Sequence, residues 1–183
     1  MGYAVAIDRA WEEVLKLKPP SAAAVRFLAD EYTVEPAAKQ VLSLACNIPA
    51  KDFNAILILH YLARKLSGLP ELTGEWLTFR ELSGVEGYAE AFRRRCIEPL
   101  IRKYGRQPAG IFTALERLPG KKVTGADAAI IVDAFAQVPA LVKVWAQDEE
   151  FKADANIYFD RSIQKIFCTE DIVVLAGMIA ASL

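Results

Sequence analysis

A chain of 183 residues is long enough for one domain that buries roughly 70% of the surface its unfolded form exposes, so it needs no disulfide or metal to be stable. Its 22 Lys and Arg set against 23 Asp and Glu leave a formal net charge of −1, which argues against a general nucleic-acid binder, because phosphate binding calls for excess basic surface. The hydrophobic fraction of 54% and mean hydropathy of +0.20 are on the apolar side, yet the longest uncharged apolar run, Ile172 to Leu183, has twelve residues, short of the ~18 to 20 that a bilayer span requires.

The N-terminal residues MGYAVAIDRAWEE carry no basic, apolar leader, and Cys46, Cys96 and Cys168 never form a C-x-x-C pair. Both observations point to the cytoplasm and away from a cysteine metal centre. Ile7, Trp11, Val14, Leu15 and Lys18 follow helical spacing, which predicts a helix from Val5 to Lys18 ended by Pro19 and Pro20, with Trp11 in a core. Ser21 is a natural N-cap for a second helix, Ala22 to Tyr32, turning Val25, Leu28 and Ala29 inward. Thr33 to Glu35 and Gln40 to Leu44 read as a hairpin around Pro36-Ala37-Ala38-Lys39. After Pro49 and Asp52, the run Phe53 to Leu66 is apolar almost all round and is expected to be a central buried helix. His60, the only histidine, lies within it, and a packed imidazole bonded to a backbone carbonyl is the simpler reading than a general base. The first 70 residues or so are thus expected to be mainly helical.

The stretch Gly74 to Gly105 joins a strand, a tight Ser83-Gly84 break and a helix of about five turns. In the strand, Leu77, Phe79 and Glu81 share one face and Trp76, Thr78 and Arg80 the other. In the helix, Tyr88, Phe92, Cys96 and Leu100 fall four apart as one apolar stripe. Pro99 predicts a kink or a split, since it removes a backbone donor and crowds the carbonyl of Arg95. Arg93, Arg94 and Arg95 cannot converge, because successive helical residues point about 100° apart.

Pro108 opens a short helix, Ala109 to Leu118, closed by Pro119-Gly120, and Lys121 to Ala126 reads as a polar loop rather than a phosphate loop. Ala129 to Phe135, Ala140 to Ala146 and Asn156 to Asp160 are rich in β-branched and aromatic residues and predict a three-stranded antiparallel meander. The loop QDEEFKAD between the last two clusters Asp148, Glu149, Glu150 and Asp154 without the spacing of a calcium loop, which leaves a solvated loop as the reading. Thr169 is expected to cap a C-terminal helix whose first turn holds Glu170 and Asp171.

Three blocks in order, GEWLTFREL, YAEAFRRRCIEPLIRKYG and VPALVKVWAQDEEFKADANIYFDRSI…CTEDIVVL, resemble an uncharacterised family of prokaryotic proteins catalogued as a domain of unknown function. Some members of that family carry an iron–sulfur domain similar to that of corrinoid iron–sulfur proteins. The resemblance spans roughly residues 57–183 and implies no established reaction, cofactor or catalytic residue. This chain lacks the cluster-ligating cysteines of the fused members.

The expectation is a single α+β domain with an antiparallel C-terminal sheet packed against helices. The first functional reading is a soluble binding or accessory module that receives an anionic small ligand or cofactor on Trp76, Thr78 and Arg80, with help from Arg93 or Arg94. A guanidinium beside an indole gives directional bonds to a carboxylate or phosphate. The second is a homo-oligomeric interaction protein, for which the apolar C-terminal helix and the alanine-rich surfaces would serve. The third is an enzyme using Glu75, His60 or a carboxylate of the tail as acid or base, for which the chain offers no nucleophile motif, metal set or phosphate loop. No cofactor is assignable, and neither nucleic acid nor membrane is an expected partner.

Overall fold

Alternation and turn chemistry, more than helix propensity, shape the N-terminal part of the chain. The computed structural model describes residues 3–183, which fall into two compact units divided between Glu71 and Leu72. In the first unit, helix α1 (Ala4–Lys16) ends just before the Pro19-Pro20 pair and buries Ala10, Trp11 and Val14. The expected second helix, Ala22 to Tyr32, is absent. Residues Ala23–Phe27 and Asp30–Glu35 are strands β1 and β2, and with β3 (Gln40–Ser43) they form an antiparallel sheet in the order β1-β2-β3. Val25 and Phe27 alternate inward on β1, as Tyr32 and Val34 do on β2, a period-two pattern. The turn between them is carried by Leu28 at φ 54°, a left-handed backbone without a glycine to mark it. The β2–β3 hairpin around residues 36–39 matches the expectation.

Helix α2 (Asp52–Ser67) is apolar nearly all round as expected, and it packs against α1 and β1 within this unit. His60 is half-buried on it.

The second unit is built on a five-stranded antiparallel sheet in the order β4-β8-β7-β6-β5. Its strands are β4 (Trp76–Thr78), β5 (Gly120–Val123), β6 (Ala128–Phe135), β7 (Val138–Trp145) and β8 (Asp154–Asp160). The expected meander is therefore present as β6-β7-β8 and is extended by one strand on each side. Residues Lys121 to Val123, expected in a polar loop, instead pair with β6, and Gly120 is needed there because a Cβ would meet the carbonyl oxygen of Ile131 at 2.1 Å.

One face of this sheet presents Ile130, Val132, Val142, Val144, Ile157 and Phe159, all fully buried. The cover comes from α4 (Glu98–Tyr104) against β7 and β8, α5 (Thr169–Ser182) against β6, and a 3₁₀ segment, Pro108–Glu116, against β5 and β6. Within the second unit, the cover thus comes from its own helices. Thr169, expected as the N-cap of α5, is its first residue; Cys168 takes the cap position, and the Thr169 hydroxyl donates instead to the Ser83 carbonyl at 3.4 Å. The whole is α+β with antiparallel sheets packed against helices, as the sequence predicts. Among the described residues no helix is long and apolar enough to cross a membrane.

Candidate functional site

The central stretch differs from its expected form in a way that creates a hollow. β4 stops at Thr78 because the Glu81 carboxylate accepts from both the Thr78 N–H and its hydroxyl, each at 2.7 Å. This is a helix-start arrangement, and it bends Phe79–Glu81 into a 3₁₀ turn. The same two bonds, hydroxyl first, hold the Glu81 carboxyl below its ordinary value, so it stays charged and keeps the turn. Arg80 therefore leaves the strand face that the sequence assigned to it and stands exposed on the turn.

The expected five-turn helix is split, as Pro99 predicts. Helix α3 (Ala89–Phe92) passes into a π-helical turn, Arg93–Ile97, and then into α4, with Pro99 in the first turn of the last piece. Widening the backbone before a proline relieves the crowding of the carbonyl at the fourth residue back, here Arg95. The apolar stripe survives: Phe92, Cys96 and Leu100 are buried, and Tyr104 continues it. Tyr88, at its start, is half-buried and donates to Glu170 Oε1 at 2.5 Å, tying this helix to α5. Phe92 stacks flat on Phe79, with ring centroids 4.1 Å apart and planes 4° from parallel. That stack fixes the 3₁₀ turn against the helix, and with it the rims on which Arg80 and Arg93 stand.

Between the turn, the helix and the start of β8 lies a cavity of about 260 Å³ whose polar lining is Thr78, Arg80, Arg93, Asp154 and Asn156. Of the five residues proposed from sequence, the structure brings Thr78, Arg80 and Arg93 to this cavity. Trp76 is half-buried on β4 and Arg94 is exposed on the π turn; neither lines it. Trp76 is two residues back along β4, opposite Asp160. Arg94 is rotated away from its neighbour by one step of the helix.

Arg93 Nη1 approaches Asp154 Oδ1 at 3.9 Å, beyond hydrogen-bond reach, with both side chains about half exposed. Exposed pairs of this kind hold weakly. Among the described residues Arg80 forms no ion pair, in contrast to Arg161, whose guanidinium forks onto Glu75 with two bonds of 2.5 Å. A wider hollow of about 620 Å³ adjoins the first, sharing Arg93 and Asp154 and walled by Trp145 and Phe151.

The arrangement offers cations and hydrogen-bond donors but little acid–base or nucleophilic chemistry. The bond from Arg161, and then its charge, hold the Glu75 carboxyl below the ordinary carboxylate value. Burial pushes the Cys96 thiol up to about 12, so it packs as a neutral group. In the acidic loop, Asp148 Oδ1 is spent on the amides of Glu150 and Phe151 at 2.9 and 2.6 Å. Among the described residues no group of three or more His, Cys, Asp or Glu gathers to hold a metal ion.

Sequence reasoning missed Asp154 and Asn156 as part of the hollow. Their signal was the alternation along β8, which places them on the face opposite Ala155 and Ile157.

A family model described as a domain of unknown function (DUF3786) matches residues 13–182. The match reaches well beyond the stretch from about residue 57 on which the resemblance was read, and takes in the last turn of α1 and the whole first sheet. No curated protein and no solved structure matches the chain.

Proposed function

The chain belongs to the DUF3786 family, a domain of unknown function, and we propose from its geometry that it is a binding module for a small anionic ligand. The ligand sits in the hollow between Arg80 and Arg93. The observation that carries this reading is the pair of arginines on one cavity rim, Arg80 outside any ion pair among the described residues and Arg93 held only loosely by Asp154. A guanidinium without a carboxylate partner keeps its full planar fork for a ligand. Glu75 supports binding over acid–base catalysis, because its fork onto Arg161 occupies both of its oxygens. The resemblance adds a prokaryotic setting to the same proposal, and the cysteine usage a cytoplasmic one.

Arg80→Lys keeps the charge and loses the fork. It is expected to weaken binding of acetate or inorganic phosphate by about 1 to 3 kcal/mol while leaving the melting temperature unchanged. Isothermal titration of the two proteins alongside thermal melts checks this. A fall in stability without a change in affinity, or no response in either, would overturn the reading.

A further inference from the structure

The edge of β8 inside the hollow carries a second piece of recognition chemistry. The amide of Arg161 donates to the Glu75 carbonyl at 2.9 Å, on the β4 side of the strand. Alternation therefore turns the N–H and C=O of Phe159, Ile157 and Ala155 toward that same side. β4 stands opposite only Tyr158, Phe159 and Asp160, because the Thr78–Glu81 turn takes the chain away.

Two open positions remain, and they differ. The Ile157 N–H is taken by Asn156 Oδ1 at 2.9 Å, so strand pairing cannot run on through that residue. Ala155 keeps its N–H and C=O directed at an edge with no strand on it. It is also 3% exposed and belongs to the cavity wall, so it is shielded from open water. A buried peptide group beside a hollow gains most from a ligand that supplies both an acceptor and a donor.

We propose that the anion is a carboxylate carried next to a peptide N–H, the chemistry shared by N-acylated amino acids and peptide C-termini. The carboxylate accepts from the Ala155 N–H and from the guanidinium groups of Arg80 and Arg93. The adjacent ligand N–H donates to the Ala155 carbonyl, making a one-residue strand bridge. The capped Ile157 amide excludes a long added strand. The cavity, at about 260 Å³, lies below the ~300 to 1,000 Å³ of drug-sized sites and suits a ligand of this size. This inference rests on the anion reading of the hollow and adds the class of the anion.

The test is a titration of the ¹⁵N-labelled full chain with acetate, inorganic phosphate, N-acetyl-L-alanine, N-acetyl-L-alaninamide and an acetylated tetra-alanine with a free C-terminus. N-acetyl-L-alanine is expected to bind at least about tenfold more tightly than acetate and to move the Ala155 amide resonance, while the alaninamide, which lacks the carboxylate, does neither. Arg80→Lys should weaken N-acetyl-L-alanine and acetate together. Tighter binding of the tetrapeptide than of N-acetyl-L-alanine would identify peptide C-termini as the source, and equal or weaker binding would identify free acylated amino acids. If acetate or phosphate binds with Arg80 dependence but N-acetyl-L-alanine gains nothing over acetate, or the Ala155 resonance stays still, this inference fails and the anion reading stands. If none of the anions binds, both fall.

Discussion

Replacing Leu57 by alanine is expected to lower the free energy of unfolding by about 2 to 5 kcal/mol, the sum of lost transfer energy and the cavity left behind. Leu57 is 1% exposed on α2, between Ile56 and Ile58, which are also buried, so no single face of that helix can relax outward. A helix enclosed on every side collapses poorly around a missing side chain, which pushes the cost toward the upper end of that range. Leu62, at 2% exposure on the same helix, is expected to behave alike. Urea melts followed by far-ultraviolet circular dichroism measure the loss. Values under about 0.5 kcal/mol at both positions would mean that α2 does not form a core in solution.

That helix was legible because of its composition: the centre of Asp52–Ser67, from Ala55 to Ala63, is apolar nearly all round, as a surface helix would not be. The β1–β2 hairpin was not. Its alanines fit a helix, and Val25, Leu28 and Ala29 happen to fall at helical spacing. What decides the matter is the turn at Leu28, whose φ of 54° an apolar residue adopts only when the surrounding sheet requires it. No residue type advertises such a turn. Gln137, at φ 60°, does the same between β6 and β7, yet that hairpin was still read correctly because the strands on both sides are long and β-branched. Strong strands make an unmarked turn legible. Weak ones do not.

The hollow shows a different kind of partial legibility. Arg80 and Thr78 were placed together by counting along a strand, and they do meet in the cavity, but for another reason. Thr78-Phe79-Arg80-Glu81 is a Thr-x-x-Glu capping sequence, and this local signal ends the strand and sets Arg80 on a turn. It was present in the sequence and outweighed by the period-two pattern around it. Asn156 and the Ala155 edge belong to a segment 74 residues or more beyond Glu81, and only the pairing of β4 with β8 brings them to the turn. Antiparallel partners so far apart leave no trace in one sequence.

Asp160 carries the other large expected effect, because one buried carboxylate ties three pieces of backbone together. At 3% exposure it accepts from Thr73 N–H and hydroxyl, each at 3.1 Å, Gly74 N–H at 2.7 Å and Ser162 N–H at 2.9 Å. These bonds anchor the segment entering β4 to the end of β8. Burial alone would raise its carboxyl, and the bonds from Ser162, Thr73 and Gly74 outweigh that, holding it at about 2 against the ordinary 3.8. A depressed carboxylate stabilises the folded state fully above its unfolded value and loses that contribution as acid protonates it. The difference corresponds to about 2 kcal/mol, lost between roughly pH 4 and pH 2. Asp160→Asn keeps the shape but has one acceptor oxygen and no charge, so at neutral pH it is expected to cost about 2 to 4 kcal/mol. By pH 2 the gap between the two proteins should have narrowed by about 2 kcal/mol, because most of what the charged carboxylate contributes is lost between roughly pH 4 and pH 2. Comparing urea midpoints of both proteins from pH 7 down to pH 2 isolates this group from the other carboxylates, which the two share. A gap that stays constant across that range would show that charge at Asp160 contributes nothing, and that the β4 entry is held by the remaining bonds alone.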